Sequence, residues 1–355
     1  MRRHLSEQLA NLRKSHRIES IEEFHKPIEE MKEWFSNLEA PRSENLNHGN
    51  MNQKIPKLNI LLRNKEQVEA LGPAIQSGQL NPNEINSLTL DFEFGRNFAP
   101  SLEMARSYGF KVGIATTRIF KPKSTEQLQL LAIERLQPDH ILIRNLGALF
   151  YFSKLSSYQG EMRGDFSLNV TNHLTAHYLI EKGLASVCAS YDLNQVQVND
   201  LLKMMNPEKL EITIHQYMPS FHMEHCVFAA TLSRGSSYLD CGKPCEKHDV
   251  ELKDQFGNHH LIKADQECRN TMFNAVPYSA ARYFEEWKSL GLGFLRYEAL
   301  KESGPDLIQK IKGYCDLIQG RKSAAELVSD LQLLERYGLG LGSISRQAEY
   351  QSRKN

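Results

Sequence analysis

The sequence predicts an α/β fold: a (β/α)8 TIM-barrel-like domain with a cysteine-rich insertion after its seventh strand. Three observations predict it. From Leu58 onward, eight short apolar runs alternate with helix-length patterns, the rhythm of parallel strands joined by right-handed crossovers. The interval between the last two runs, 215 to 293, is far too long for one loop and one helix. Four of the six cysteines fall inside that interval, at Cys226, Cys241, Cys245 and Cys268. A doubly wound sheet gives the same local signal, but a set of eight strands favours the closed barrel.

Residues 1–57 read as an arm and a linker. Ile18, Ile21, Phe24, Ile28, Met31 and Phe35 recur at spacings of three and four, which suits an amphipathic helix, and a polar, Asn-rich stretch without periodicity follows. The strand runs are LNILL (58–62), LTLDF (88–92), VGIATT (112–117), HILI (140–143), FSLNV (166–170), SVCASY (186–191), LEITIH (210–215) and GFLRY (293–297). Helical patterns such as EQLQLLAIERL and HLTAHYLIEKG lie between them, several ending at glycine (Gly109, Gly183). Within the insertion, 218–274, the segments 249–253 and 260–263 flank DQFGN and read as a β-hairpin. After the barrel, 58–300, the chain gives two helices and a glycine-containing tail, which reads as flexible, over 301–355.

In such a barrel the loops after the strands converge on one face, and that face carries the site. The strand ends supply Arg63, Asp91, Glu93, Arg118, Arg144, Asn169, Asp192, His215, Arg296 and Glu298. A ring mixing arginines, amides and carboxylates suits an anionic, hydrogen-bonding small substrate. Arg118, Arg144, Asn169, Asp192 and His215 are therefore catalytic candidates. Glu224 joins them as the acid–base group of a hydrolytic alternative. Its segment, His222-Met-Glu-His225, lacks the His spacing of the zinc-peptidase motifs.

The cysteines follow C-x14-C-x3-C-x22-C. Thiolates are the soft ligands that zinc and iron–sulfur clusters select. Structural zinc ordinarily uses two tight pairs, whereas only Cys241 and Cys245 are close in sequence. That asymmetry favours a 4Fe–4S cluster held by Cys226, Cys241, Cys245 and Cys268, with zinc as the alternative. Cys188 and Cys315 read as core residues.

Composition bounds the partners. Lys plus Arg and Asp plus Glu both number 43, so the net charge is zero and gives no overall attraction to nucleic acid or membrane surface. No run nears the roughly 18 apolar residues of a membrane span, and the charge-interrupted N-terminus does not read as a secretory signal. Sparse, clustered cysteines suit a cytoplasmic chain.

The segments FHMEHCVFAATLS, CGKPCEKH and KADQECRNTMFNA resemble the peptidase U32 (collagenase-like protease) family, and LDFEFG, ILIRNLGALFY, GDFSLNV, ASYDLNQ and ITIHQYMP resemble it too. The likeness spans about 58–298 and is nearest to the later part of the longer members, so it implies one portion of a longer architecture. It implies an oxygen-independent hydroxylase that carries a 4Fe–4S cluster and modifies a nucleobase of tRNA or rRNA, or a small aromatic ring of the ubiquinone-precursor type. Prephenate is the implied hydroxyl donor, and an electron-transfer partner is compatible. Proteolysis, or a non-catalytic iron–sulfur maturation or interaction role, are the alternatives. Many members place a first cysteine a few residues before the position of Cys226, where this chain has PSFHMEH. That leaves Cys268, His222 or His225 for the fourth ligand.

Overall fold

The computed structural model describes residues 55–93, 95–121, 126–235 and 239–334. The expected arm up to residue 54 and the tail from residue 335 lie outside the described residues.

The barrel strands are β1 (Lys57–Leu62), β2 (Ile85–Leu90), β3 (Val112–Ala115), β4 (His140–Ile143), β5 (Glu161–Gly164), β6 (Ser186–Cys188), β7 (Leu210–Gln216) and β13 (Phe294–Glu298). Each pairs in parallel with the next. β6 pairs with β7, and β13 joins β7 to β1, which closes the ring. Helices follow most strands, from α1 (Lys65–Glu69) and α2 (Leu71–Gln76) through α3 (Phe98–Ser107), α4 (Glu126–Leu136), α5 (Leu146–Ser153), α6 (His173–Glu181) and α7 (Gln195–Met204). After β13, α10 (Gly304–Ile318) buries Leu307, Ile311 and Tyr314 in the same core, and α11 (Ala324–Leu334) follows.

Strand alternation sets two faces. Leu58, Ile60, Leu88, Leu90, Val112, Ile114, Ile141, Ile143, Ile212 and Leu295 point outward into the helical layer and form the main core. Each such side chain contributes about 1.5–3 kcal/mol by leaving water, so this layer holds the barrel together. The interior is polar by contrast. Leu61, Ala115 and Leu142 form its small apolar cluster. Asn59 Nδ2 donates to Glu211 at 2.6 Å, Ser87 Oγ to Asn59 at 2.8 Å, and Arg163 to Ser87 at 2.9 Å. His140 Nε2 pairs with Thr89 Oγ1 at 2.8 Å, and a Cβ at Gly113 would stand 2.2 Å from that nitrogen. Glycine is therefore needed on β3 to seat the imidazole.

The fifth strand differs from expectation. It is Glu161–Gly164, not 166–170, where the chain forms a short turn of Phe166–Leu168 capped by Asp165 and ended by Asn169 in the left-handed region at φ 55°. Of the β5 residues, Arg163 points into the barrel and Met162 out, so the strand carries no apolar run to announce it.

The insertion forms its own antiparallel sheet, in the order β8 (Pro219–Met223), β11 (Asn270–Phe273), β10 (His259–Ala264), β9 (Val250–Lys253). The short helix α8 (Val227–Leu232) follows β8. The chain returns through β12 (Tyr278–Ser279), which pairs antiparallel with the end of β7, and then α9 (Phe284–Ser289). Exit and return thus meet on one barrel strand. Among the described residues, no helix is long and apolar enough to cross a membrane.

Candidate functional site

The C-terminal mouth of the barrel is an ion network. Arg144, at the end of β4, donates to both oxygens of Asp91 at 2.7 and 2.8 Å and to Asp165 at 2.8 Å. Arg296, on β13, donates to Asp165 at 2.6 Å and approaches Glu298 at 3.3 Å. Arg63 pairs with Asp91 and lies 3.7 Å from Glu298. Burial alone would push the Asp91 carboxyl up; Arg144 and Arg63 outweigh it and hold it well below the usual range. Burial likewise opposes ionisation of Asp165, yet Arg296 and Arg144 bring it down to about 2. At Glu298 burial prevails and the carboxyl is raised.

Arg118 stands apart from this pairing. Among the described residues it makes no hydrogen bond or ion pair, and its guanidinium lies 4.8 Å from the Phe166 ring centre. Burial, followed by repulsion from Arg144, lowers its pKa. A cation held without a carboxylate at a barrel mouth is an anion-binding group in waiting.

The insertion sheet caps this mouth, and its register separates two faces. His222, Thr271 and Lys263 form one cross-strand row and Leu261 shares their face; Phe273 lies 5.2 Å from the Arg63 guanidinium. This face meets the mouth. Between them lies a cavity of about 50 Å³ lined by Arg63, Asp91, Glu93, Arg118, Arg144, His222, Lys263, Asp265 and others. Among the described residues, three buried polar atoms of its lining have no hydrogen-bond partner: Arg63 Nε, His222 Nε2 and Asp265 Oδ2. Buried polar atoms are normally satisfied, so the cavity is built to receive polar matter. Burial, then Arg118 and Arg269, depresses His222 to about 4, leaving its imidazole neutral at pH 7. Burial raises Glu93 to about 7 against the pull of Lys263 3.8 Å away, and raises Asp265 to about 6.

The opposite face carries Phe221, Met272, Ile262 and Val250 in register. Phe228 of α8 packs there with Ile262 and Ala264, and Cys226 and Cys245 lie against them. All four insertion cysteines are half-buried, whereas Cys188 and Cys315 are core residues. Cys226 caps α8, its sulfur accepting from Ala229 N–H at 3.5 Å. Cys241 Sγ accepts from Lys243 N–H at 3.4 Å, through a turn in which Gly242 and Lys243 have φ 69° and 50°. Cys245 sits in the following turn, Pro244–Glu246. Cys268 itself has φ 62°.

The thiols sense one another. Burial, then Cys226 and Cys268, pushes Cys245 up to about 11. Burial, then Cys226 and Cys241, raises Cys268. Neighbouring thiols hinder each other's ionisation, and a cationic group between them reverses that effect. Among the described residues, no three His, Cys, Asp or Glu stand close enough to clasp a single metal ion. The half-buried sulfurs, with backbone N–H groups aimed at those of Cys226 and Cys241, are donors of the kind soft metal centres take. The cysteine turns also touch the rim: Arg96 donates to Glu246 at 3.0 Å, Gln266 to the Phe92 carbonyl at 3.3 Å, and Glu93 adds to the upward push on Cys245.

Of the residues singled out from sequence, Arg118 and Arg144 line the cavity together with Arg63, Asp91 and Glu93. Asn169 caps a turn, and exposed Asp192 closes a local turn with Ser190. Glu224 is 55% exposed and ion-paired with Lys121 at 2.8 Å and Arg269 at 3.0 Å. His215 does not join the mouth. A register shift between β7 and β13 pairs it with outward-facing Tyr297 and turns it out of the barrel, as bulges do. There it stacks on Tyr297 at 4.6 Å and bonds Tyr314 at 3.0 Å. Asp165, Lys263 and Asp265 were not singled out. Asp165 follows the strand that sequence reading misplaced, and the other two lie in the insertion sheet and its turn.

Fold and site together define a (β/α)8 barrel whose mouth is capped by the sheet of a cysteine-bearing insertion. No family model and no curated protein matches the chain. Solved structures similar in fold include the U32 peptidase Mk0906, at 10% identity over 48% of this chain and 72% of that one, with a TM-score of 0.36. The Bacillus cereus spore cortex-lytic enzyme SleL matches at 12% identity over 74% of each chain, with a TM-score of 0.36. A designed cube-shaped protein cage matches at 11% identity over 85% and 86%, with a TM-score of 0.42. Such scores carry no argument about kinship or chemistry.

Proposed function

We propose that the chain is an iron–sulfur-dependent, oxygen-independent hydroxylase of the U32 type, acting on a nucleobase of tRNA or rRNA. The observation that carries the reading is four half-buried, mutually interacting cysteines, in a helix cap and turns of the insertion whose sheet caps an arginine-rich barrel mouth. Cys226, Cys241, Cys245 and Cys268 would hold a 4Fe–4S cluster, which when bound supplies one-electron chemistry. The protein's own groups account for the rest. Arg118 and Arg63 attract the carboxylates of a small acid such as prephenate, the hydroxyl donor suggested by the sequence resemblance. Neutral His222 and the cap exclude bulk water above it. Arg144 is committed to Asp91 and Asp165 and keeps the mouth's shape.

The substrate part is tested by mass spectrometry of RNA nucleosides from a deletion strain. One hydroxylated base should disappear and return with the wild-type chain but not with Cys241→Ala. An unchanged nucleoside profile defeats the RNA reading.

A further inference from the structure

The turn between β10 and β11 joins the cavity to a cysteine through one side chain. Asp265 Oδ1 accepts from the backbone N–H groups of Glu267 and Arg269, both at 2.9 Å. The Asp265 carbonyl accepts from Cys268 N–H at 3.1 Å, and its own N–H donates to the Arg269 carbonyl at 2.7 Å. These bonds hold Cys268 in the left-handed region, at φ 62°, which disfavours a residue with a Cβ. One oxygen of Asp265 thus builds the turn. The other, Oδ2, is buried without a hydrogen bond in a residue that lines the cavity; the nearest cation, on Arg269, is 3.8 Å away. Other walls of the cavity hold Arg118, which has no carboxylate partner among the described residues, and the unbonded Nε of Arg63.

A ligand completing this set carries an anion for the arginines and, at another point, a hydrogen-bond donor for Asp265. A plain carboxylic acid satisfies the first and leaves Oδ2 orphaned. We propose that Asp265 is the specificity residue of the cavity: it accepts the hydroxyl hydrogen of a small hydroxy acid whose carboxylate lies on Arg118 and Arg63. The inference rests on reading the mouth as the ligand site, and it adds a consequence. Because both oxygens belong to one carboxyl, ligand binding also braces the turn that presents Cys268. A site built around a hydroxyl discriminates strongly against the analogue lacking it, since the buried acceptor is then left unpaired.

L-malate and succinate differ by that one hydroxyl, and titration calorimetry on the purified chain reads the difference. The wild type should bind malate at least about tenfold more tightly than succinate. Asp265→Asn keeps an oxygen for the turn and replaces the free acceptor with an amide donor. It should bring the malate-to-succinate ratio to about one while leaving succinate affinity within about twofold, which also shows that the variant is folded. A preference that survives in Asp265→Asn, or a wild type that does not discriminate or binds neither acid, overturns the inference. Iron and sulfide content of the same preparation judges the cluster reading separately, so either can fail while the other stands.

Discussion

Replacing Arg144 with methionine separates the group that shapes the mouth from those that await a ligand. Arg144 is 5% exposed and makes three hydrogen bonds to two carboxylates, fully buried Asp165 and half-buried Asp91. Breaking one partner out of such a network costs about 3–5 kcal/mol, a large part of the 5–15 kcal/mol that folded domains possess. The loss should depend on pH. In the wild type the Asp91 and Asp165 carboxyls are depressed. Their contribution is present above the ordinary carboxylate value of about 3.9, and that of Asp165 is lost as pH falls through about 2. In Arg144→Met, only Arg63 and, more weakly, Arg118 oppose the burial of Asp91, and we expect its carboxyl to rise above about 3.9. A raised carboxyl contributes stability below its unfolded value and loses it as pH rises through the folded one. The deficit of the variant should therefore be larger at pH 7 than at pH 4.5. Urea unfolding followed by tryptophan fluorescence at both pH values measures it, with buried Trp287 as a reporter in the barrel domain. A deficit under about 1 kcal/mol at pH 7, or one that does not shrink on acidification, refutes the reasoning.

Arg118→Gln should behave oppositely: the loss of stacking on Phe166 costs about 1 kcal/mol or less, while succinate affinity by calorimetry falls at least about tenfold. Tyr314→Phe removes a buried hydroxyl that bonds His215 at 3.0 Å and Ser279 at 2.9 Å, and so loosens both the exit and the return of the cap. It should lower stability in urea by about 1–3 kcal/mol, and a neutral effect would mean those bonds are not made in solution.

Much of this was legible because outward strand faces are apolar runs. LNILL, HILI and LEITIH each read as a strand and each is one. The fifth strand was not legible, because EMRG turns its arginine into a polar interior and offers Met162 alone to the helices. The error carried Asp165 out of view with it. His215 looked like a mouth residue because alternation along β7 is regular up to Thr213; the register shift beyond it depends on pairing with β13, which a single strand does not encode. The cysteine spacing marks four residues, but that Cys226 and Cys245 pack on the face away from the mouth, against Phe228 and Ile262, follows from the fold of the insertion. Asp265 had no signal at all, since a turn aspartate reads as a turn aspartate until its second oxygen is found buried and unbonded in a residue that lines a cavity.

On the proposed function, the four cysteines hold an iron–sulfur cluster beside a ligand-binding mouth. Purification without oxygen, a visible spectrum, and iron and sulfide counts test it most directly. The account predicts a brown protein with broad absorption near about 400 nm and about four irons and four sulfides per chain, all lost in Cys241→Ala. Colourless protein holding stoichiometric zinc, or no metal at all, contradicts it.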